Sequence, residues 1–407
     1  MDKIAFSIPD LTQKEIDLIG ETVNTRWIAN GPKVREFEKR IAKKSFCDRA
    51  VAFDSCTGAM ELTLRAIGIG PGDEVITTPY TYSATAEVIR NVGAKIVFVD
   101  LDGKSFEMDY QKVADAITSH TKAIMPVDIG GKPCDYDAIY QAIESKRSLF
   151  VPESPVQEAV RRVAVVADAA HSFQAWNGEK TTGEFADFTC YSFHVLKNIT
   201  TGGEGGAVVW RDIPGYDNDG LEQTLRLLGD HGQTSRDKSK GWEYDIALFG
   251  YNSIMTDIDA AMGLAQLDRF PELHGKRMKV TALYDLMFAS YGDGAKPLVN
   301  HIGLSKDGDI EYCSAMHLYP VRLPERIEPE SGRNMVYHKL KDLGIPCNVH
   351  YKPLPMMTAY KRIGFDIKDF PNAYDMYASL LTIPYHTELT PDQQEYIVRN
   401  IQKAVNA

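Results

Sequence analysis

"AVAFDSCTGAMELTLRAIGIGPGDEVITTPYTYSATAEVIRNVGAKIVFVD", residues 50–100, decides the fold. Three short β-rich runs, "AVAF", "EVITT" and "KIVFVD", are separated by two helix-like stretches, "GAMELTLRAIGI" and "SATAEVIRNVG". In "GIGPGDEV" and "NVGAKIVFVD" a glycine stands where a helix should stop and the next strand start. Working outward, "KAIMPV", "VAVVADA" and "FTCYSF" extend the series of strands, and "DYDAIYQAIESK" adds a helix, as far as about residue 210. Apolar strands spaced by one helix each predict parallel βαβ units in a sheet covered on both faces, an α/β fold.

The flanks read differently. "KRSLFVPESPVQEAVRRV", from Lys146, lengthens one connection and is expected to be a surface excursion, and the polar stretch "DHGQTSRDKSKGWEYD", residues 230–245, a mobile loop. "TDIDAAMGLAQLDRF" and "KRMKVTALYDLMFASY" carry apolar residues at three- and four-residue steps and are expected to form two long helices. Beyond about residue 290 strands and helices mix, suggesting a smaller α+β domain.

Composition sets bounds on function. The chain has 407 residues, 44% hydrophobic and 25% charged, enough for two domains around large cores. A net charge of −11 argues against a general nucleic-acid or anionic-membrane surface. "MDKIAFSIPDLTQKEIDLI" shows no basic segment followed by an apolar one, and no run reaches membrane-spanning length. Six cysteines without a CxxC pair favour reduced thiols in the cytoplasm over a disulfide frame or a metal site.

Four features carry chemistry. Lys197 lies between the apolar run "FTCYSFHVL" and the glycine-dense "TTGGEGG"; an amine buried there loses its charge and becomes a nucleophile. Asp168 ends the strand "VAVVAD", where open parallel sheets bind ligands. In "FDSCTGAMELTL" a strand ends and Ser55, Thr57 and Gly58 open a helix, an arrangement suited to phosphate but lacking the lysine of a P-loop. Tyr82, after the next strand, is placed to stack on a flat ring. Each also has an ordinary reading: an exposed lysine, a helix-capping aspartate, a hydroxyl cap, a filler tyrosine. Their order along the chain is harder to obtain by accident.

With these segments, "RWIANGPKVREFEKRIA", "ADAAHSF", "SFHVLKNITTGGEGGAVVW", "GYNSIMTDIDAAMGLAQLDR" and "VHYKPLP", the chain resembles the sugar aminotransferases of the DegT/StrS type over nearly its whole length. That resemblance implies the fold-type-I, aspartate-aminotransferase-like architecture of enzymes that use pyridoxal 5'-phosphate. Residues 1–270 would form the large cofactor-binding domain with its N-terminal segment, and 271–407 the linking helix and small C-terminal domain. It further implies that Lys197 holds the cofactor covalently and shuttles a proton, that Asp168 faces the pyridine nitrogen, and that His171 contacts the ring hydroxyl. Tyr82 takes the stacking position; Thr57, Gly58 and Ser192 match phosphate contacts, and Asn252 an asparagine supplied by the neighbouring subunit. No metal is implied.

The activity implied is transfer of an amino group, from glutamate, to a keto group of a nucleotide-linked sugar in aminosugar, surface-polysaccharide or natural-product biosynthesis, by a cytoplasmic homodimer. The alternatives are a sugar dehydratase, against which Lys197 argues because one subtype carries histidine there, and a regulator that binds ligand without turnover. Three departures from the family pattern stand out: an additional glycine in "TTGGEGG", Cys56 where glycine is frequent, and Ile254 in place of an arginine. His194, His231, His317, His350 and His386 are candidates for the sugar site, with structural roles as their default.

Overall fold

The computed structural model describes residues 3–234, 241–291, 293–304 and 308–406. The alternation read from the sequence forms a seven-stranded sheet. Its strands are β1 Arg49–Phe53, β2 Glu74–Thr77, β3 Lys95–Phe98, β4 Thr121–Met125, β5 Ala164–Asp168, β6 Phe188–Ser192 and β7 Gly206–Trp210. In space they run β1-β7-β6-β5-β4-β2-β3, parallel from β6 to β3, with β7 alone antiparallel to its neighbours. The strand β7 was not among the six expected. It returns from β6 through the lysine turn, with no helix between them, so the strand–helix alternation does not announce it. Strands β4 to β7 are buried at every position, as strands covered on both faces must be.

Around the sheet lie α1 Gln13–Thr25, α2 Pro32–Lys44, α3 Cys56–Ala66, α4 Ser83–Asn91, α5 Tyr110–Ala116, α6 Tyr136–Ser145, α7 Pro155–Val160, α8 Asn218–Gly229 and α9 Asp257–Ala289. The excursion expected after Lys146 is largely exposed, and its far end is anchored by the helix α7. Ser154 caps it by accepting the Gln157 amide, Val156 is buried, and both Ser154 Oγ and Gln157 Nε2 donate to the Ile67 carbonyl.

The two long helices expected after residue 255 are one, the 33-residue α9, with Pro271 inside it. A proline in a helix interior costs about 3 kcal/mol. Against that, Ala260, Leu264 and Leu267 are buried in the core beneath the sheet, and Val280, Tyr284 and Phe288 in a second core. Full burial of one such large side chain contributes roughly 1.5–3 kcal/mol, so packing at both ends outweighs the proline. The first residue of α9 also serves another helix. The N-cap of α2 is Gly31, which has no side chain, and the Asp257 carboxylate accepts the amides of Gly31, Lys33 and Val34 instead.

Past residue 290, strands Lys296–Pro297, Tyr319–Arg322 and Leu380–Ile383 form a small antiparallel sheet. It shares the second core with helices Ser331–Asp342 and Pro391–Asn406, and Ile4 of the N-terminal segment joins it. Of the polar stretch 230–245, residues 235–240 lie outside the described residues; its ends are tied by Thr234 N–H donating to the Asp245 carbonyl. All six cysteines are free thiols. No helix among the described residues is long and apolar enough to cross a membrane.

Candidate active site

The carboxyl ends of β1, β2, β5 and β6 open on one cavity of about 400 Å³, where an open parallel sheet is expected to bind its ligand. Thr57, Tyr82, Asp168, His171, Ser192 and Lys197 all line it. Gly58 and Asn252 do not. The amide of Gly58 is engaged by Ser55 Oγ, the N-cap of α3, at 3.0 Å. What glycine supplies there is space: a Cβ would stand 2.5 Å from the hydroxyl of Ser253, which donates to Asp54. Asn252 is exposed, bridged to Asp230, while Ile254 two residues on bridges to Phe53 at the end of β1.

The turn after the lysine doubles back on itself. Phe193 N–H donates to the Gly205 carbonyl, Val195 N–H to Gly203, and Lys197 N–H to His194. Thr200 Oγ1 accepts the Gly202 amide, with Gly202 at φ +123°, so the glycine-dense "TTGGEGG" has a defined path. At its end a Cβ on Gly206 would lie 2.2 Å from the backbone nitrogen of Cys56. The lysine turn and the first turn of α3 therefore meet backbone to backbone. Any larger residue at 206 would force them apart.

Lys197 is half-buried, and its Nζ has no hydrogen-bond partner among the described residues. Burial pulls its pKa down to about 8, with the Asp168 carboxylate acting in the opposite direction. Asp168 is buried; Thr85 Oγ1 donates to it at 2.6 Å and the Ala170 amide at 3.2 Å. Burial raises its pKa, and those two donors and Lys197 counter the rise.

His171 is held in one tautomer. The amide of Gly130 can only donate and points at Nδ1 (3.3 Å), so Nδ1 accepts and the ring proton sits on Nε2. Nε2 is 3.2 Å from Tyr351 Oη, to which it donates. Burial and the Lys197 charge push the His171 pKa well below the usual histidine range, so the ring is neutral. Tyr82, 63% exposed, stands at the cavity mouth with its ring 6.2 Å from that of Tyr351.

Of the candidate histidines, His194, His317 and His350 line the cavity and His231 and His386 do not. Sequence reading missed Thr85, Tyr351, Asp128, and Phe6 and Ser7 of the N-terminal segment, all but Thr85 on the cavity wall. Thr85 and Tyr351 lie within stretches that carry the family resemblance, but only the fold shows what they touch.

Residues 9–402 match the model of the DegT/DnrJ/EryC1/StrS aminotransferase family. The chain belongs to that family. Among its members, the spore coat polysaccharide biosynthesis protein SpsC of Bacillus subtilis is 33% identical over 408 residues, 99% of this chain and 97% of that one. GDP-perosamine synthase of Caulobacter vibrioides is 32% identical over 409 residues, 100% of this chain and 99% of that one. Spr1654 from Streptococcus pneumoniae, solved in a PLP-form, superimposes with a TM-score of 0.93 at 40% identity, covering 99% of each chain. The mostly parallel sheet expected from the sequence is thus the fold of the DegT/DnrJ/EryC1/StrS aminotransferases.

Proposed function

We propose that this aminotransferase uses pyridoxal phosphate to move an amino group from glutamate to the keto carbon of a nucleotide-linked sugar, as a cytoplasmic homodimer making aminosugars for polysaccharide or natural-product biosynthesis. The observation that carries this reading is Lys197: an amine without a partner, with its pKa lowered to about 8, lining a cavity that a buried carboxylate also lines. Relatives named for spore-coat polysaccharide biosynthesis and for GDP-perosamine synthesis support the sugar side.

The residues present fit the cofactor. Thr57 Oγ1 has no partner among the described residues, and Ser192 Oγ accepts only the His194 amide, so both hydroxyl protons are free for a phosphate. The amides of Cys56 and Thr57, the first two of α3, add donors without intrahelical acceptors. Bound pyridoxal phosphate supplies an electron sink for the carbon that loses and regains a proton. Lys197 Nζ holds the cofactor and moves that proton. The Asp168 carboxylate would keep a proton on the ring nitrogen, and His171 would reach the ring hydroxyl only with the Nε2 proton that it gives to Tyr351 in this structure. Tyr82 covers the ring from the cavity mouth.

Given glutamate alone, the purified holoenzyme should lose its visible cofactor absorbance as the amino group is taken up. Mass spectrometry with a panel of nucleotide-linked keto sugars then identifies the acceptor. A cofactor spectrum indifferent to glutamate overturns the donor assignment, and a panel without an aminated product overturns the acceptor class.

A further inference from the structure

We propose that His317 recognises a hydroxyl beside the keto carbon of the sugar, accepting its hydrogen bond at Nε2. The proposal rests on the transaminase reading above and names a residue that selects its acceptor.

The argument starts at Asn198, the residue after Lys197. Its amide end faces the Ala315 carbonyl. A carbonyl only accepts, so the atom turned to it is Nδ2 and the other is Oδ1. Oδ1 in turn only accepts, and it lies 3.0 Å from His317 Nδ1. The ring proton of His317 is therefore on Nδ1. Burial and the neighbouring His171, Lys197, Arg277 and His350 hold the ring neutral. That leaves Nε2 as a bare acceptor. His317 lines the cavity, and its Nε2 has no partner among the described residues.

His171, with its ring 4.3 Å away, is arranged the other way round. Its bare nitrogen is turned inward to the Gly130 amide and its N–H is taken by Tyr351. Of the two adjacent imidazoles, His317 alone presents an unpaired lone pair. The ring is held by its Nδ1 bond to Asn198, and the backbone that carries it by the His317 amide donating to the Gly130 carbonyl and Arg277 Nη1 donating to the Met316 carbonyl. An uncharged acceptor in a fixed direction suits a hydroxyl, and leaving it unpaired in a closed site penalises a sugar that lacks one.

Two measurements test this on the holoenzyme. With ¹⁵N-labelled histidine, and His171→Gln and His317→Gln variants to assign the signals, His317 should be protonated at Nδ1 and His171 at Nε2. In kinetics, nucleotide-linked 3-keto and 4-keto hexoses are compared with counterparts lacking the hydroxyl next to the carbonyl. The wild type should prefer the hydroxylated member by roughly 10- to 100-fold in kcat/KM, the effect of one unpaired buried acceptor. His317→Phe should lose that preference, and the ratio divides out any general loss of activity. If the Phe variant does not fold, His317→Gln, which keeps a polar end of similar reach, should show an intermediate ratio. A His317 protonated at Nε2, a wild type without preference, or a variant that keeps the full preference overturns the assignment. A wild type whose cofactor spectrum ignores amino donors removes the transaminase reading as well.

Discussion

At Lys197 two effects compete, and their balance sets how much of the amine is neutral. Burial disfavours the ammonium, the Asp168 carboxylate favours it, and burial prevails, bringing the pKa from 10.5 to about 8. Only the neutral amine attacks the cofactor aldehyde. The rate at which apoprotein captures pyridoxal phosphate should therefore rise through about pH 8, not near 10.5, followed by the growth of visible absorbance; borohydride should then fix the phosphopyridoxyl group on Lys197. A label on another lysine sinks the assignment. The same shift bears on stability. Between about pH 8 and 10.5 the unfolded chain holds the Lys197 proton that the folded apoprotein has released, so this residue's penalty on folding is full below 8 and relieved as pH rises. Asp168 calls for a different test. Asp168→Asn keeps size and shape but cannot hold the ring nitrogen protonated, so cofactor should stay bound while kcat falls by about 10²–10³-fold or more, the scale on which a main electrostatic partner is lost. A variant with most of its activity left would remove the electron-sink role.

Between residues and the whole chain stand the elements, and their ends do most of the positioning. Asp257 belongs to α9 yet satisfies three amides at the start of α2. Asp257→Ala should cost about 2–3 kcal/mol, because buried amides lose their only acceptor. Urea denaturation reads this as a lower midpoint at an unchanged slope, and a change below a few tenths of a kcal/mol would show that water replaces the carboxylate. The strands that hold the site were legible because both their faces are buried, which leaves continuous apolar runs, and so was the strand end that carries Asp168. The strand β7 was not, since an antiparallel return has no helix to mark it; nor was the continuity of α9, decided by two cores that the local pattern does not contain. The partners of the site residues were hidden for the same reason. Thr85 precedes Asp168 by 83 residues and Tyr351 follows His171 by 180, so only the folded chain brings them together.

Across the whole molecule, one stretch of the described residues stands out for its exposed aromatic side chains. Trp242, Tyr244, Phe249 and Tyr251 precede Asn252 closely in sequence and are all exposed, Phe249 by 96% and Trp242 by 78%. Exposed aromatic residues concentrated in one segment are costly in water and common where a second chain docks. Asn252 follows them and does not reach the cavity of its own chain. A symmetric dimer offers it another cavity, because in such a pair each subunit gives the same residue to its partner. On this reading each active site takes Lys197 from one chain and Asn252 from the other. The competing arrangement leaves Asn252 as a surface residue that serves only its own chain. Mixing two inactive variants separates them: Lys197→Ala, and Asn252→Asp, which sets a negative charge against the phosphate. With shared sites, a mixed dimer has one site carrying both lesions and one carrying neither, so each mixed dimer should recover about half the activity of a wild-type dimer. With unshared sites every site keeps one lesion and the mixture stays inactive. Subunit exchange is verified with differently tagged chains, and a tagged heterodimer without activity would exclude the shared site.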